Sequence, residues 1–164
     1  MLIRDATAAD APAACTVLID SITQLCTADH HDNPDILQRW LANKTPENVA
    51  SWAVAPGRSL LVAIADGAIC AVGGVTHEGE ITVNYVAPSA RFRGVSSAML
   101  AALEQRAIEQ GATCCTLLST ETAHRFYLAR GYTDQGPPVG KFGTAASYPM
   151  SKPLRARSSA NPGE

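Results

Sequence analysis

The sequence predicts a single domain of the α/β class, α+β type, and three observations carry that expectation. An apolar run at residues 59–65 turns back through Asp66-Gly67 into a second run at 68–75, the signature of a two-residue hairpin. From Ile81 to Leu118 a strand, a glycine-containing turn, a helix and a second strand follow one another, which reads as a βαβ unit, most simply with parallel strands. Ahead of both, Val17, Leu18, Ile22 and Leu25 recur at helical spacing.

At 164 residues the chain is long enough for one core, burying roughly two thirds of the surface its unfolded form would expose. Apolar residues make up 46% and charged residues 17%, and no apolar run approaches the ~18 residues that a membrane span needs. A net charge of −2 and a pI near 6.1 argue against nucleic acid as a partner, which calls for a basic face. Any anion site is therefore local. The N-terminus meets an acid at Asp5 and lacks the charged-then-apolar layout of a secretory signal, so the cytoplasm is the expected compartment. Five cysteines contain no C-x-x-C and leave one over, which disfavours a disulfide framework. Cys70, Cys114 and Cys115 lie in strand-like runs, where they pack as small hydrophobes.

In chain order, a short extended start at residues 3–7 leads to Asp10, a candidate cap for a first helix that ends near Cys26 and has Pro12 in its first turn. Residues 26–34 gather Cys26, Asp29, His30, His31 and Asp32. They lack the paired spacing and second half of a zinc site, so no metal is expected. The reading is a polar loop that lines a pocket for a polar acceptor, with His30 as a substrate-binding candidate. Residues 34–41 form a second helix with Ile36, Leu37, Trp40 and Leu41 on one side. Thr45 then caps a third, with Pro46 at its first position. After the hairpin, Ile81, Val83 and Tyr85 alternate with Thr82, Asn84 and Val86 in a strand with two different faces. Gly111 stops the following helix, residues 113–118 form the next strand, and a helix at 122–130 stops at Gly131. Residues 147–151 read as an edge strand, which Pro149 suits, and 155–164 as a disordered tail beyond a domain of 1–154.

The chemistry concentrates between Tyr85 and Leu100. Arg91-x-x-Gly94-x-Ser96 sits between a strand and a helix, where free amides and positive charge bind phosphate. On spacing alone it is either such a site or an ordinary βα turn with a glycine for packing. It has neither the Gly-Lys-Ser/Thr of a Walker loop nor a G-x-G-x-x-G fingerprint. Periodicity puts Ala123, Phe126, Tyr127 and Arg130 on one helix face, which by itself fits a core tyrosine with a satisfied hydroxyl. Arg125 and Arg130 read as solvated.

Taken together these stretches resemble the GNAT family of acyl-CoA-dependent N-acetyltransferases, over residues 3 to about 154. The run from Ile3 to Thr7 with Asp10 is similar to the family's first strand and helix start, and Tyr85-Val86-Ala87-Pro88 to its cofactor strand. Arg91-Phe92-Arg93-Gly94-Val95-Ser96 looks like its Gln/Arg-x-x-Gly-x-Gly/Ala pyrophosphate loop, and Ala123-x-x-Phe126-Tyr127 like its second cofactor-proximal helix. Ser96 replaces the usual Gly or Ala, and Thr120 stands where many members carry Asn.

The resemblance implies a mixed, mostly antiparallel sheet of about six or seven strands with flanking helices and a splayed cofactor strand. It implies acetyl-CoA as co-substrate, a small-molecule primary amine as acceptor (less so a peptide), direct attack in a ternary complex, and admits a homodimer. Cofactor contacts fall to Tyr85, Val86, Ala87, Arg91, Phe92, Arg93, Gly94, Val95, Ser96, Ser97, Thr120 and Tyr127, with a backbone amide near Tyr85 or Val86 as oxyanion donor. Tyr127 matches the acid that protonates the departing thiolate. Glu80 matches the glutamate that some members use as base, and ordered water is the alternative. Asn84 either faces the acceptor or cross-links strands. The acceptor site itself maps to residues 26–34 and 136–146. Two other readings are a catalytically silent acyl-CoA-binding or regulatory module on the same scaffold and the binding of a different phosphorylated ligand through the same turn.

Overall fold

The computed structural model describes residues 1–140 and 147–155. The expected tail beyond Arg155 and part of the expected acceptor segment, 141–146, lie outside the described residues.

Two antiparallel sheets make up the fold. The first has the order β1-β2-β3-β4, from β1 (Leu2–Asp5), β2 (Arg58–Ala65), β3 (Ala68–Thr76) and β4 (Ile81–Val86); the second has the order β5-β7-β6, from β5 (Cys114–Thr120), β6 (Thr133–Asp134) and β7 (Ser147–Pro153). The helices are α1 (Ala11–Leu25), α2 (Thr27–His30), α3 (Pro34–Leu41), α4 (Pro46–Val54), α5 (Val95–Glu109) and α6 (His124–Ala129). The α+β architecture and the mostly antiparallel sheet are as expected.

Between β2 and β3, Asp66 and Gly67 both have positive φ, 52° and 76°, the twist that a two-residue hairpin needs. The apolar run in β2 is continuous because the strand is covered on both faces. Leu61 and Ala63 pack with Met99, Leu100 and Leu103 of α5, while Leu60 and Val62 pack with Leu18 of α1 and Val49 of α4. α5 lies close over Gly73 in β3: a Cβ there would come within 2.7 Å of Met99 Sδ and 2.9 Å of Leu103 Cδ1. Arg106 of α5 holds both carboxylate oxygens of Asp5 in β1, at 2.7 and 2.9 Å. Lys152 of β7 reaches Glu104 on α5 at 2.9 Å. The helix is thus tied to both sheets.

Three expectations are corrected, and a fourth, the parallel βαβ unit, is met in an opened form. Asp10 does not cap α1 with its side chain; its carboxylate reaches back, accepting from the Thr7 amide at 2.7 Å and from Arg4 at 2.7 and 3.0 Å. Residues 27–30 are a turn of helix rather than loop. The last strand is central, since β7 pairs with β5 along its length and with β6 on the other side. Pro149 is tolerated there because its carbonyl accepts from the Gln135 amide just past the end of β6, so its missing N–H faces the side where that short ladder stops. Finally, β4 and β5 run parallel but share one bridge, Glu80 to Thr116, and separate from there. The βαβ unit is therefore split open, which is the splay expected of the cofactor strand.

Candidate active site

The opening between β4 and β5 follows from register. Ala87 N–H donates to the Cys70 carbonyl at 2.8 Å, and Tyr85 lies opposite Val72, so Tyr85 and Ala87 spend their amides on β3. By the alternation of an antiparallel ladder, the amides of Asn84 and Val86 point the other way, into the gap toward β5. Of the amides at the expected cofactor contacts Tyr85, Val86 and Ala87, only that of Val86 is thus turned toward the gap, and the oxyanion donor expected near Tyr85 or Val86 narrows to Val86. Asn84 and Val86 are the donors that the splay releases.

The gap is the floor of a cleft of about 590 Å³. At one end stands α5. Gly94 precedes it with φ 77°, Phe92 has φ 62°, and the first bond of the helix is Ala98 N–H to Gly94 carbonyl at 3.1 Å. The amides of Val95, Ser96 and Ser97 thus have no carbonyl in their own helix, and a Cβ built on Gly94 meets nothing within 4 Å. A side chain at the left-handed Gly94 would be strained and would enter the space in front of those amides. Arg91, Phe92, Gly94, Val95, Ser96 and Ser97 all line the cleft, whereas Arg93 is exposed and does not.

The opposite wall is α6. Thr120 Oγ1 accepts from Ala123 N–H at 3.1 Å and starts the helix, which brings Tyr127 to the cleft. Tyr127 is buried between Phe126 and Tyr132, and its hydroxyl accepts from Asn84 Nδ2 at 3.0 Å. Burial pushes its pKa up to about 12, and the Asn84 bond opposes that rise. Asn84 therefore meets Tyr127 across the splay. Arg130, read from sequence as solvated, also lines the cleft: it lies 3.8 Å over the Phe126 ring and donates to Ser97 Oγ through Nε at 3.1 Å. The sequence does carry a signal for it, since Arg130 shares the helix face of Tyr127.

Two sequence candidates stand apart. Glu80 is exposed at the bridged end of β4, outside the cleft lining. His30 is fully buried, with Nε2 3.0 Å from the Ile22 carbonyl and 3.1 Å from that of Thr23, while Nδ1 accepts from Asp32 N–H at 3.0 Å. Both ring nitrogens are committed to closing the end of α1, so a substrate role for His30 is corrected to a structural one. Its neighbour Asp29, to which the sequence assigns no role, accepts from the Glu121 amide at 2.7 Å, the Thr122 amide at 3.2 Å and the Thr122 hydroxyl at 2.6 Å. That clasp anchors the turn from β5 into α6 to the helical layer on the far side.

A second cavity of about 300 Å³ lies on the α3 and α4 side and is lined by Trp40, Lys44, Trp52 and Arg58 among others. It shares Thr82, Val83, Tyr85, Leu118 and Thr120 with the cleft, so the two spaces meet through the splay. Tyr85 stands between them, its hydroxyl in a hydrogen bond with Trp40 and its pKa raised, chiefly by burial.

A family model described as an acetyltransferase (GNAT) domain matches residues 27–154. Among solved structures, a GCN5-related N-acetyltransferase from Rhodopseudomonas palustris superposes with a TM-score of 0.82 at 25% identity, covering 93% of this chain and 95% of its own. The PaiA N-acetyltransferase of Thermoplasma acidophilum, solved with coenzyme A, gives 0.80 at 15% identity over 93% of this chain and 98% of its own. A putative acetyltransferase from Salmonella typhimurium, solved with acetyl-CoA, gives 0.71 at 20% identity over 96% of each chain. No curated protein sequence matches significantly.

Proposed function

The chain belongs to the GNAT family of acyl-CoA-dependent N-acetyltransferases, and from that premise we propose that it acetylates the primary amine of a small molecule by direct attack in a ternary complex. The observation that carries the reading is the pair of amides, Asn84 and Val86, that the β3 ladder turns into the gap on a splayed strand between the α5 N-terminus and Tyr127.

The residues present suit acetyl-CoA. The amides of Val95, Ser96 and Ser97, with Arg91 and Arg130 beside them, would hold its phosphates, and the open face at Gly94 leaves room for them. When bound, acetyl-CoA supplies an acetyl group activated as a thioester. In this reading the Val86 N–H is the donor aimed at the oxygen where negative charge develops. The Tyr127 hydroxyl donates to the sulfur as it leaves, and with a pKa near 12 it keeps its proton at neutral pH. The Asn84 amide occupies one lone pair of that hydroxyl and so restricts where its O–H points. Glu80 faces solvent and lines neither cavity, so in this reading the amine's proton passes to water. The second cavity, opening on the same gap from the other face, is assigned to the acceptor. Its small volume favours a small molecule over a protein side chain held on a surface.

The test is thermal shift followed by turnover. Acetyl-CoA at a hundredfold excess over its Kd stabilises the folded state by about 2.7 kcal/mol, or roughly 5–10 °C in a domain of this size. Gly94→Glu, which puts bulk and negative charge at the α5 N-terminus, should abolish the shift. No shift in the wild type would remove the cofactor assignment, and a shift without CoA release from any amine would remove the transfer assignment.

A further inference from the structure

The chemistry of the second cavity says which amines it takes. Arg58 enters at the start of β2, lies 5.8 Å over the Trp52 ring and, among the described residues, donates to the Thr82 hydroxyl at 3.4 Å. Among the described residues it pairs with no carboxylate, whereas Arg4, Arg106 and Lys152 each do. Lys44, itself largely buried, lies in the same lining, with its Nζ donating to Asn43 Oδ1 at 2.7 Å. The lining's carboxylate, Asp29, does not offset Arg58 toward a ligand: it is 1% exposed and its oxygens already accept three hydrogen bonds from Glu121 and Thr122. The remaining wall mixes the rings of Trp40, Trp52 and Tyr85 with the aliphatic Val83 and Leu118 and with small polar side chains, Thr82 and Thr120 among them.

A cavity with this lining favours an anion beside an apolar or flat body and disfavours a polycation. Resting on the acceptor assignment above, we infer that the acceptor is an amine of amino-acid size carrying a carboxylate, which Arg58 binds, next to an apolar or aromatic group that stacks on the tryptophans. About 300 Å³ is at the small end of the range for small-molecule sites. The arrangement also helps the chemistry. A cation near the acceptor favours the neutral form of its amine, which is the nucleophile, and reduces the demand for a protein base near the cleft. A carboxylate on Arg58 would anchor the acceptor on the far side of Tyr85 from the α5 N-terminus, leaving the amine to reach through the gap between β4 and β5.

The experiment compares CoA release from acetyl-CoA with phenylalanine, phenylalaninamide, phenethylamine and a polycationic aminosugar, in wild type and in Arg58→Met and Arg58→Lys. Acetyl-CoA-induced thermal stabilisation is measured in all three proteins. The expected result is kcat/KM for phenylalanine at least roughly tenfold above that for phenethylamine or the amide, the scale of one charged hydrogen bond, and little turnover of the aminosugar. Arg58→Met should collapse that preference to near unity while the stabilisation by acetyl-CoA persists, and Arg58→Lys should restore part of it. Phenethylamine or the aminosugar turning over as well as phenylalanine would overturn the inference and leave the transferase reading standing. A preference for the carboxylate that survives in Arg58→Met would overturn it equally. Loss of acetyl-CoA stabilisation in the wild type would instead remove the premise, and the inference with it.

Discussion

Removing the Asn84 amide separates a residue that orients Tyr127 from one that merely sits beside it. Its Nδ2 donates to the Tyr127 oxygen at 3.0 Å, across the splay, and the phenol is buried against Phe126 and Tyr132. Asn84→Ala deletes one neutral hydrogen bond, worth about 1 kcal/mol net, and withdraws a partner from a buried hydroxyl, which can raise the cost toward about 2 kcal/mol. At 1.36 kcal/mol per tenfold, a loss expressed in the transition state slows acetyl transfer about fivefold to thirtyfold. The part expressed in folding lowers Tm by about 2–4 °C per kcal/mol. The assay is single-turnover CoA release with acetyl-CoA saturating, on Asn84→Ala, Tyr127→Phe and the double variant. If Asn84 works through the hydroxyl, adding Asn84→Ala to Tyr127→Phe costs little more than Tyr127→Phe alone. Multiplicative losses would refute the coupling and return Asn84 to a packing role, and an unimpaired Tyr127→Phe would show that another group protonates the thiolate.

Three further outcomes follow from the same geometry. Burial raises the Tyr127 pKa to about 12, so its acid form persists well above neutrality; kcat should not decline between about pH 8 and 10, and a fall centred there would assign the acid elsewhere. Gly73→Ala drives a methyl against Met99 and Leu103, at 2.7 and 2.9 Å before relaxation, and should cost about 1–3 kcal/mol in denaturant melts, with weakened acetyl-CoA affinity as α5 is displaced. Asp29→Ala removes the acceptor for two amides and a hydroxyl at the entrance to α6; a loss of about 3 kcal/mol is expected, and a melt within error of wild type would show that this turn holds its shape unaided.

What is legible in the residues is whatever is specified locally. Asp66-Gly67 announces its hairpin because the turn itself needs those backbone angles, and Arg91-x-x-Gly94 marks a helix start because the positive φ at Gly94 is local too. The placement of β7 is not legible, because Pro149 speaks for one missing N–H and not for which strands arrive on either side. The role of His30 is hidden for a similar reason: its partners, the carbonyls of Ile22 and Thr23, become visible only once α1 ends and α2 folds back on it. Arg58 and Trp52 carry no local signal at all. Their meeting with Lys44 and Trp40 around one space depends on how α3, α4 and the first sheet pack.

The central position of β7 also sets the order in which the molecule can be completed. During synthesis β5 and β6 leave the ribosome before β7 does, yet they do not pair with each other, and each must wait for Ser147–Pro153 to arrive between them. Leu118 and Thr120, which border both cavities, lie on β5 opposite Pro149 and Ser147. A nascent chain can therefore close the first sheet on α1 and α5 while the wall facing it is still unmade. A transcript truncated before Ser147 would yield the anion-binding turn without the groove it serves, with two unpaired strands exposed to other chains.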